Sequence, residues 1–305
     1  MSFIPQVLVR GQSNFDTILS RVLAFDPEVI MCSGWMDKGY LKICRSVGKD
    51  CVRVLTLDNK WSGSIKQRIA SLLSPFTLKN SFDKAFVPGK EQKEYALKLG
   101  FTEAEISTGF YIADLPFYQR FYNELSMRDK ASRPKRFLYL GRYVSIKGIF
   151  ELWHAFNAFR IENQEWELWC VGTGKDFDQK VEAPGIRHFG FIQPEEILPI
   201  LLETSVYILP SHFEPWGVSV HEMAISGFPM LLSNEIGAKE FFLEEGKNGW
   251  TFDPHDPKTL TQRMLQISKL SVDQLSILGV HSHELGLQHN HETWYNSFLH
   301  LVANK

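Results

Sequence analysis

Two glutamates in one short segment could bind the hydroxyl groups of an extended ligand. The segment SHFEPWGVSVHE covers residues 211–222 and carries Glu214 and Glu222, eight positions apart. On a continuous helix this spacing corresponds to roughly 12 Å at ~1.5 Å per residue. The carboxylate pair of a retaining glycoside hydrolase stands only about 5 Å apart, so that chemistry is not indicated. The spacing suits contacts with two ends of one polyhydroxyl ligand, and two unrelated surface glutamates are the alternative.

The middle of the same segment has the features of a helix start. Pro215 fits the first turn of a helix, because the N–H group that proline lacks has no partner there. Trp216, Gly217 and Val218 would then offer free backbone N–H groups at the positive end of the helix. Gly217 also lets a ligand approach the backbone without a Cβ atom in the way. We therefore expect an anion or a hydroxyl to bind at these three amides.

Two cations follow a predicted strand further upstream. In LGRYVSIKG, residues 140–148, Gly141 permits a tight turn, and Arg142 and Lys147 flank a predicted helix start. Two cations beside a helix N-terminus can bind a diphosphate, and solvated surface charges are the alternative. The segment lacks the GxxxxGK[ST] pattern of a P-loop, so nucleoside triphosphate hydrolysis is not indicated.

Two glycine-containing turns are candidates for holding a flat ring. In CVGTGKDF, residues 170–177, Gly172 and Gly174 could place a base or ribose against the backbone, or simply form a tight turn. In HFGFI, residues 188–192, Gly190 opens the backbone at a strand end. Neither is a GxGxxG motif, so a nicotinamide dinucleotide site is not indicated. The histidines between residues 281 and 291 are expected at the surface rather than in a metal site.

Short apolar runs alternate with segments of helical period along the whole chain, which predicts parallel α/β layers in two doubly wound domains. Between the two series lies a polar segment, residues 123–136, which predicts a linker. In the first half we expect strands in PEVIMCSG, CVRVLTLD and FDKAFVPG, and helices at 64–73, ended near Pro75, and in KEQKEYALKLG. In the second half we expect strands in FLYLG, WELWCVG, IRHFGF, SVYILP and PMLLS, with helices between them. The candidate motifs therefore fall at carboxyl ends of strands, where such sheets bind ligands.

Composition excludes several classes of protein. The chain has 305 residues, 44% of them hydrophobic, and a net charge of -2, which fits two folded domains and does not favour nucleic acid as a partner. Its four cysteines form no CxxC pair, so reduced thiols in a cytoplasmic protein are expected. No run of 18 apolar residues occurs, and the first residues lack the order of a signal peptide.

One basic region could contact a membrane. Residues 60–98 contain eight lysines and arginines against three acidic residues. Within them, the predicted helix 64–73 places Ile65, Ile69 and Leu72 on one face. This helix could dock on anionic lipid at the inner face of the membrane, and packing against the core of its own domain is the alternative.

Taken together, in this order and at these separations, the motifs resemble those of glycosyltransferase family 4, a retaining family with the GT-B fold. That fold consists of two Rossmann-like domains facing a central cleft. The resemblance covers the second half of the chain nearly end to end. The similar segments are LGRYVSIKG (the cation loop), CVGTGKDF (the VGxG turn), IRHFGFIQPEEI (the strand that edges the base), SHFEPWGVSVHEMAISGFPMLLS (the Glu-x7-Glu segment) and EEGKNGWTFDP.

The resemblance implies a role for each motif. Arg142 and Lys147 would neutralise the diphosphate of a nucleotide sugar. Glu214 would bind the donor sugar and Glu222 the ribose, while Gly190 and Phe191 would edge the base. The implied reaction is retaining transfer from a UDP- or GDP-sugar to a glycan or lipid-linked acceptor, as in surface polysaccharide biosynthesis. No divalent metal or other cofactor is implied, because the cations and a helix N-terminus would stabilise the leaving group.

The resemblance also divides the chain. It implies an acceptor-side domain over residues 1–129, a nucleotide-sugar domain over 130–288 and a helix over 289–305 that returns to the first domain. The first half matches less well and is expected to be truncated at its start. Where many members have a histidine after the strand aligned with RVLTLD, this chain has Asp58, a candidate donor contact or a turn cap.

Two other functions stay open at this point. The chain could be a non-catalytic nucleotide-sugar-binding subunit of a glycosyltransferase complex, since a shortened first domain could lack an acceptor site. A GT-B epimerase or phosphorylase shares the fold, but not the combination of the two glutamates with the two cations.

Overall fold

The computed structural model describes residues 14–127 and 133–303, and the chain divides into two compact units. The first comprises residues 1–110 with 294–305, and the second comprises residues 111–293. Each unit is built around a parallel β-sheet, which confirms the predicted α/β class. Within the described ranges, no helix is both long and apolar enough to cross a membrane.

The first unit has, among its described residues, a parallel sheet in the order β1-β2-β3-β4. Its strands are β1 (Val29–Ser33), β2 (Val52–Thr56), β3 (Lys84–Val87) and β4 (Ile106–Thr108). Its helices are α1 (Phe15–Phe25), α2 (Lys38–Ser46), α3 (Ile65–Thr77) and α4 (Lys90–Lys98). The central strands are almost wholly buried, as expected for a parallel sheet covered on both faces.

Helix α3 is longer than its sequence predicts. It begins after Ser64, whose hydroxyl accepts the N–H of Gln67 at 3.4 Å, but it continues through Pro75 to Thr77 instead of ending before the proline. Proline removes only its own N–H bond near the helix end, and the N–H of Leu78 still donates to the carbonyl of Ser74 at 2.9 Å. The extra turn adds Phe76 to the apolar face of the helix.

The second unit has, in the described part of the chain, a parallel sheet in the order β10-β9-β8-β5-β6-β7. Its helices are α5 (Leu115–Met127), α6 (Ile149–Arg160), α7 (Leu198–Leu202), α8 (Val218–Ile225), α9 (Lys239–Phe242), α10 (Pro257–Ser268) and α11 (Val272–Gln288). Its strands are β5 (Arg136–Leu140), β6 (Glu167–Val171), β7 (Ile186–Gly190), β8 (Val206–Leu209), β9 (Met230–Ser233) and β10 (Gly249–Phe252). In the centre, Phe137 of β5 pairs with Val206 of β8 on one side and Leu168 of β6 on the other. The strand order therefore reverses beside β5, where doubly wound sheets bind ligands.

Alternate residues of the central strands face two separate cores. Leu138 of β5 belongs to the core that contains α5, α7 and α8, whereas its neighbours Phe137 and Tyr139 belong to the core that contains α6 and α10. Both faces of the sheet are covered, which explains why its strands appear in the sequence as continuous apolar runs.

The predicted linker at 123–136 is largely wrong. Its first residues, 123–127, form the end of α5, and Arg136 begins β5, while residues 128–132 lie outside the described residues. Helix α5 buries Tyr118 and Phe121 in a core of the second unit. The units consequently divide after Phe110 and not after residue 129, because the polar residues that indicated a linker occupy the outer face of a packed helix.

The last helix, α12 (His291–Ala303), belongs to the first unit from Trp294 onwards. The ring of Trp294 lies 5.4 Å from that of Phe86 in β3, and its Nε1–H donates to the carbonyl of Phe110 at 2.7 Å. Phe298 and Leu301 join the same small core, as their spacing predicts. These contacts hold α12 on one face of the first sheet.

Candidate functional site

A cavity of about 550 Å³ lies at the carboxyl ends of β5, β6 and β8 in the second unit. It is formed by the loops that follow these strands together with the first turn of α8. The sequence-predicted residues that line it are Gly141, Arg142, Lys147, Gly172, Phe191, Glu214, Gly217, Val218 and Glu222. The strand order and the motifs thus bring the two cations and the two glutamates into one cavity.

The loops after β5 and β6 are interlocked through their backbones. The N–H of Gly141 donates to the carbonyl of Val171 at 3.0 Å, and the N–H of Tyr143 donates to that of Thr173 at 3.0 Å. Gly172 has a φ of +133°, and a Cβ atom there would lie 1.9 Å from the carbonyl oxygen of Gly141. Glycine is therefore required at residue 172 for the two loops to meet.

Two predicted glycines support the cavity without lining it. A Cβ atom on Gly174 would lie 2.4 Å from the carbonyl oxygen of Tyr143, so this glycine permits a backbone crossing behind the turn. Gly190 ends β7 with a φ of +71°, and its carbonyl accepts the N–H of Gly172 at 2.7 Å. The ring-binding surface predicted at these turns is represented in the cavity by Gly172 and Phe191.

Lys147 and Glu214 form an ion pair at the cavity wall. Their side chains are only 16% and 12% exposed, so the pair is shielded from screening by water. The hydroxyl of Ser211 also donates to the Glu214 carboxylate, at 3.2 Å. In this ligand-free state the Lys147 charge is compensated, and a bound anion or sugar would have to share the pair.

A tight turn places Lys147 at this wall. Residues 145–147 form a single 3₁₀ turn, and the N–H of Ser145 donates to the Asp176 carboxylate at 2.9 Å. The turn ends at Gly148, whose φ is +67° and whose Cβ position would lie 2.0 Å from the carbonyl oxygen of Pro210. The cation loop is thereby pressed against the end of β8, the strand that leads to Glu214.

The first turn of α8 faces the cavity. Gly217, with a φ of +98°, precedes the helix, and Gly217, Val218 and Ser219 line the cavity. The Ser219 hydroxyl shares a hydrogen bond of 2.8 Å with the hydroxyl of buried Tyr207. The amides here lie at the positive end of the helix dipole, which favours an anionic ligand group.

Two expectations for this segment need correction. The helix begins at Val218, so Pro215 precedes it instead of occupying its first turn, and Glu214 lies in a loop, where helical spacing from Glu222 does not apply. The Trp216 side chain is buried, with its ring 5.5 Å from that of Phe241, and does not line the cavity. Trp216 anchors the loop in the core because a large aromatic side chain gains most from burial.

Glu222 is the deeper of the two glutamates and has an unusual environment. Burial raises the pKa of its carboxyl group, and a hydrogen bond from the Tyr118 hydroxyl partly opposes that shift. Burial also raises the pKa of Tyr118, so its hydroxyl stays protonated and able to donate. Tyr118 lies on α5, and it orients a carboxylate whose free oxygen can accept hydroxyl groups from a ligand.

Two buried histidines fix α8, which carries Glu222. His221 accepts the N–H of Ala113 at 3.1 Å through Nδ1 and contacts the carbonyl of Gly286 at 2.9 Å through Nε2. Burial lowers the pKa of His221 to about 4, so it is neutral at physiological pH. His283, expected at the surface, is instead buried, and its Nδ1 contacts the carbonyl of Ile225 at the end of α8 at 2.5 Å.

The sequence interpretation missed several residues of the site. The further lining residues are Leu140, Val171, Thr173, Ile192, Leu209 and Ser219. Most directly end or follow a predicted strand, which is the signal that could have identified them. Tyr118 had no such signal, because it is more than a hundred residues from Glu222 in the chain.

Asp58 lies in the first unit, two residues beyond the end of β2, and is exposed. Its backbone carbonyl accepts the side-chain N–H of Gln92 at 3.2 Å. Asp58 is not among the residues that line the cavity of the second unit. Over residues 14–127 and 133–303, no group of three or more His, Cys, Asp or Glu side chains is placed to hold a metal ion.

Comparisons with known proteins match this part of the chain. Residues 134–269 match the family model described as Glycosyl transferases group 1. Glycogen synthase of Mycobacterium tuberculosis is 28% identical over 130 residues, which are 40% of this chain and 31% of that protein. The 2-deoxystreptamine N-acetyl-D-glucosaminyltransferase of Niallia circulans is 23% identical over 289 residues, which are 88% of this chain and 71% of that protein.

The fold as a whole is also found among solved structures. Anabaena HepE in complex with UDP has a TM-score of 0.76 at 12% sequence identity, and the match covers 95% of this chain and 82% of that one. The two Rossmann-like parallel-sheet units are therefore those of the GT-B fold, which confirms the fold class that the sequence predicts.

Proposed function

We propose that this protein is a retaining glycosyltransferase that transfers a sugar from a UDP- or GDP-sugar to a glycan or lipid-linked acceptor. The cavity of the second unit would bind the donor. We further propose that the reaction needs no divalent metal and serves surface polysaccharide synthesis in the cytoplasm. The family match over residues 134–269 and the glycosyltransferase names of the relatives support the reaction class.

One observation carries the proposal: a single cavity is lined by two cations, two glutamates and the N-terminus of α8. A nucleotide sugar presents a diphosphate between two groups rich in hydroxyls. Arg142, Lys147 and the α8 amides would bind the diphosphate. Glu214 and Glu222 would accept hydrogen bonds from the sugar and the ribose hydroxyls.

The proposed chemistry follows from leaving-group stabilisation. The bond between the anomeric carbon and the β-phosphate oxygen breaks, and the diphosphate leaves with the electron pair. Arg142, Lys147 and the helix N-terminus stabilise the charge that develops on it. The acceptor hydroxyl oxygen bonds to the anomeric carbon on the same face and gives its proton to the departing phosphate. The configuration of the anomeric carbon is thereby retained.

Thermal denaturation of the full chain with UDP, GDP, ADP and their common sugar conjugates, each with and without EDTA, tests the donor site. A ligand that binds only the folded protein raises its melting temperature; at a hundred times the Kd the stabilisation is about 2.7 kcal/mol. We expect one nucleotide family to stabilise the protein regardless of EDTA. No shift with any of these nucleotides would contradict the proposal.

Matched variants separate the site from the rest of the surface. Lys147→Ala and Glu222→Ala should each reduce the nucleotide-dependent shift, whereas Lys258→Ala and Glu195→Ala, at exposed positions outside the cavity, should not. Transfer to a panel of glycan and lipid-linked acceptors then tests the reaction. Binding without transfer to any acceptor would favour the alternative of a non-catalytic nucleotide-sugar-binding subunit.

A further inference from the structure

Helix α3 of the first unit carries its large apolar residues on the outside. Exposed fractions range from 51% to 78% along this stripe. Its residues are Ile65, Ile69, Leu72, Leu73 and Phe76. At about 100° per residue the five side chains fall within an arc of about 100°. A surface helix normally turns such a stripe toward the core, so α3 has the opposite orientation.

The inner face of α3 consists of small residues that already have partners. Ser74 is fully buried, and its hydroxyl donates to the carbonyl of Leu99 at 2.5 Å. Ala70 packs against the core around β2 and β3. The helix is therefore anchored to its own unit without the apolar stripe, which is left for another surface.

Basic residues border the stripe. By helical geometry Lys66 lies about 20° beyond one edge and Arg68 about 40° beyond the other. Residues 59–82 contain four basic and no acidic residues. Lys60 and Lys79 contact Glu91 and Glu105 within the unit, at 3.7 and 2.8 Å. The charge that borders the stripe is therefore that of Lys66 and Arg68.

We propose that α3 docks the protein on the surface of an anionic lipid bilayer. The helix would lie in the plane of the interface with its five apolar side chains below the headgroups. Lys66 and Arg68 would extend along the flanks to the phosphates, since their long stems can cross the boundary. The positive flanks and the absence of acidic side chains in 59–82 select an anionic lipid surface. The proposal stands on the first unit and does not rest on the proposed activity.

Flotation of the full chain with vesicles tests this surface. The probe vesicles are phosphatidylcholine with 30% phosphatidylglycerol, compared with phosphatidylcholine alone. We expect flotation with the anionic vesicles, weakening as salt rises, since surface charges are screened within about 10 Å at 0.1 M. The double variant Leu72→Ser/Phe76→Ser should bind at least about tenfold more weakly, and Lys66→Glu severalfold more weakly. Ile277→Ser, at an equally exposed position on α11, is the matched control and should float like the wild type.

Two parallel measurements keep the result interpretable. Because the stripe is exposed, Leu72→Ser/Phe76→Ser and the milder Leu72→Gln should keep the wild-type urea midpoint. A marked loss of stability in both would assign the stripe to packing within the chain and overturn the proposal. Light scattering that shows a dimer abolished by the double variant would assign the stripe to a second copy and equally overturn it. So would an absence of flotation with anionic vesicles.

Discussion

At the residue scale, the properties of the cavity depend on groups that are strained between stability and binding. Glu222 is largely buried with a raised pKa, and Lys147 is neutralised by Glu214 in the free protein. A carboxylate that lacks full solvation costs folding free energy, and it is retained where its free oxygen serves a ligand. Substitutions here should therefore move stability and binding in opposite directions.

Glu222→Gln should stabilise the free protein and weaken nucleotide binding. Because the folded-state pKa of Glu222 lies above its unfolded value, the wild type loses stability as pH rises through that raised pKa. The neutral amide lacks this penalty, so the melting temperature of the variant should exceed that of the wild type at pH 7.5. The difference should shrink toward pH 4.5. Nucleotide binding should lose about 1.5–3 kcal/mol, as for a hydrogen bond to a charged group. A variant that is less stable at pH 7.5 would contradict this account.

Tyr118→Phe should move the pH dependence of nucleotide binding. The hydrogen bond from Tyr118 lowers the pKa of Glu222, so its removal should raise that pKa further. Binding that requires the charged carboxylate should then fall off at a higher pH than in the wild type. Calorimetric Kd values between pH 5 and pH 8 measure the shift. Phe298→Leu in α12, in the core of the first unit, is a control for general loosening. Superimposable profiles for Tyr118→Phe and wild type would remove Tyr118 from the site.

The side chains that the sequence could identify are those within motifs. Arg142, Lys147, Glu214 and Glu222 follow from charge and spacing, and all four line the cavity. Trp216 shows the limit of such reasoning, because a motif fixes a residue's position in the chain but not the direction of its side chain. Tyr118 could not be found at all, since its contact with Glu222 exists only once α5 has packed on α8.

At the element scale, the site is held by backbone contacts between loops of different strands. The turns after β5 and β6 meet at Gly172, and the cation loop meets the end of β8 at Gly148. These contacts set the positions of the lining residues more strongly than side-chain packing does, because the facing carbonyl oxygens leave no room for a Cβ atom.

Gly172→Ala should be far more destabilising than Gly190→Ala. Both glycines have positive φ values, +133° and +71°, at the ends of neighbouring strands. At residue 190 nothing lies within 4 Å of a Cβ atom, so the cost is that of the left-handed backbone, roughly 1–2 kcal/mol. At residue 172 the carbonyl oxygen of Gly141 lies 1.9 Å away, and the cost should be at least about 3 kcal/mol. Urea denaturation of both variants measures the two costs. Equal losses of stability would show that the loops can separate.

The elements that apolar periodicity predicts are found in the second unit, because its central strands are buried on both faces and the helices between them have regular stripes. The elements that the sequence missed have other patterns. Helix α5 combines a buried face with a polar outer face at 123–124, and it resembles a linker in composition. Helix α3 continues past Pro75, because a proline close to a helix end removes only one hydrogen bond.

At the scale of the whole molecule, the fold class follows from the alternation of strands and helices, but the division into units does not. The boundary after residue 110 depends on which core receives Tyr118 and Phe121, and that is a tertiary choice. A polar segment in the sequence marks exposure to water, and both a linker and the outer face of a helix are exposed.

A fragment of residues 111–293 should fold and bind nucleotide, whereas a fragment of residues 130–288, cut at the boundary that the sequence predicts, should not. The shorter fragment lacks α5, whose Leu115, Tyr118 and Phe121 are all more than 90% buried. At about 1.5–3 kcal/mol for each buried side chain, their loss removes roughly 5–9 kcal/mol. A domain's whole stability is about 5–15 kcal/mol, so the shorter fragment should be largely unfolded. It also lacks the Tyr118 hydroxyl that orients Glu222. Circular dichroism melting curves with and without the nucleotide that stabilises the full chain compare the two fragments. Cooperative melting and a full nucleotide shift in the shorter fragment would place the boundary after residue 129 and leave α5 without a role in the site.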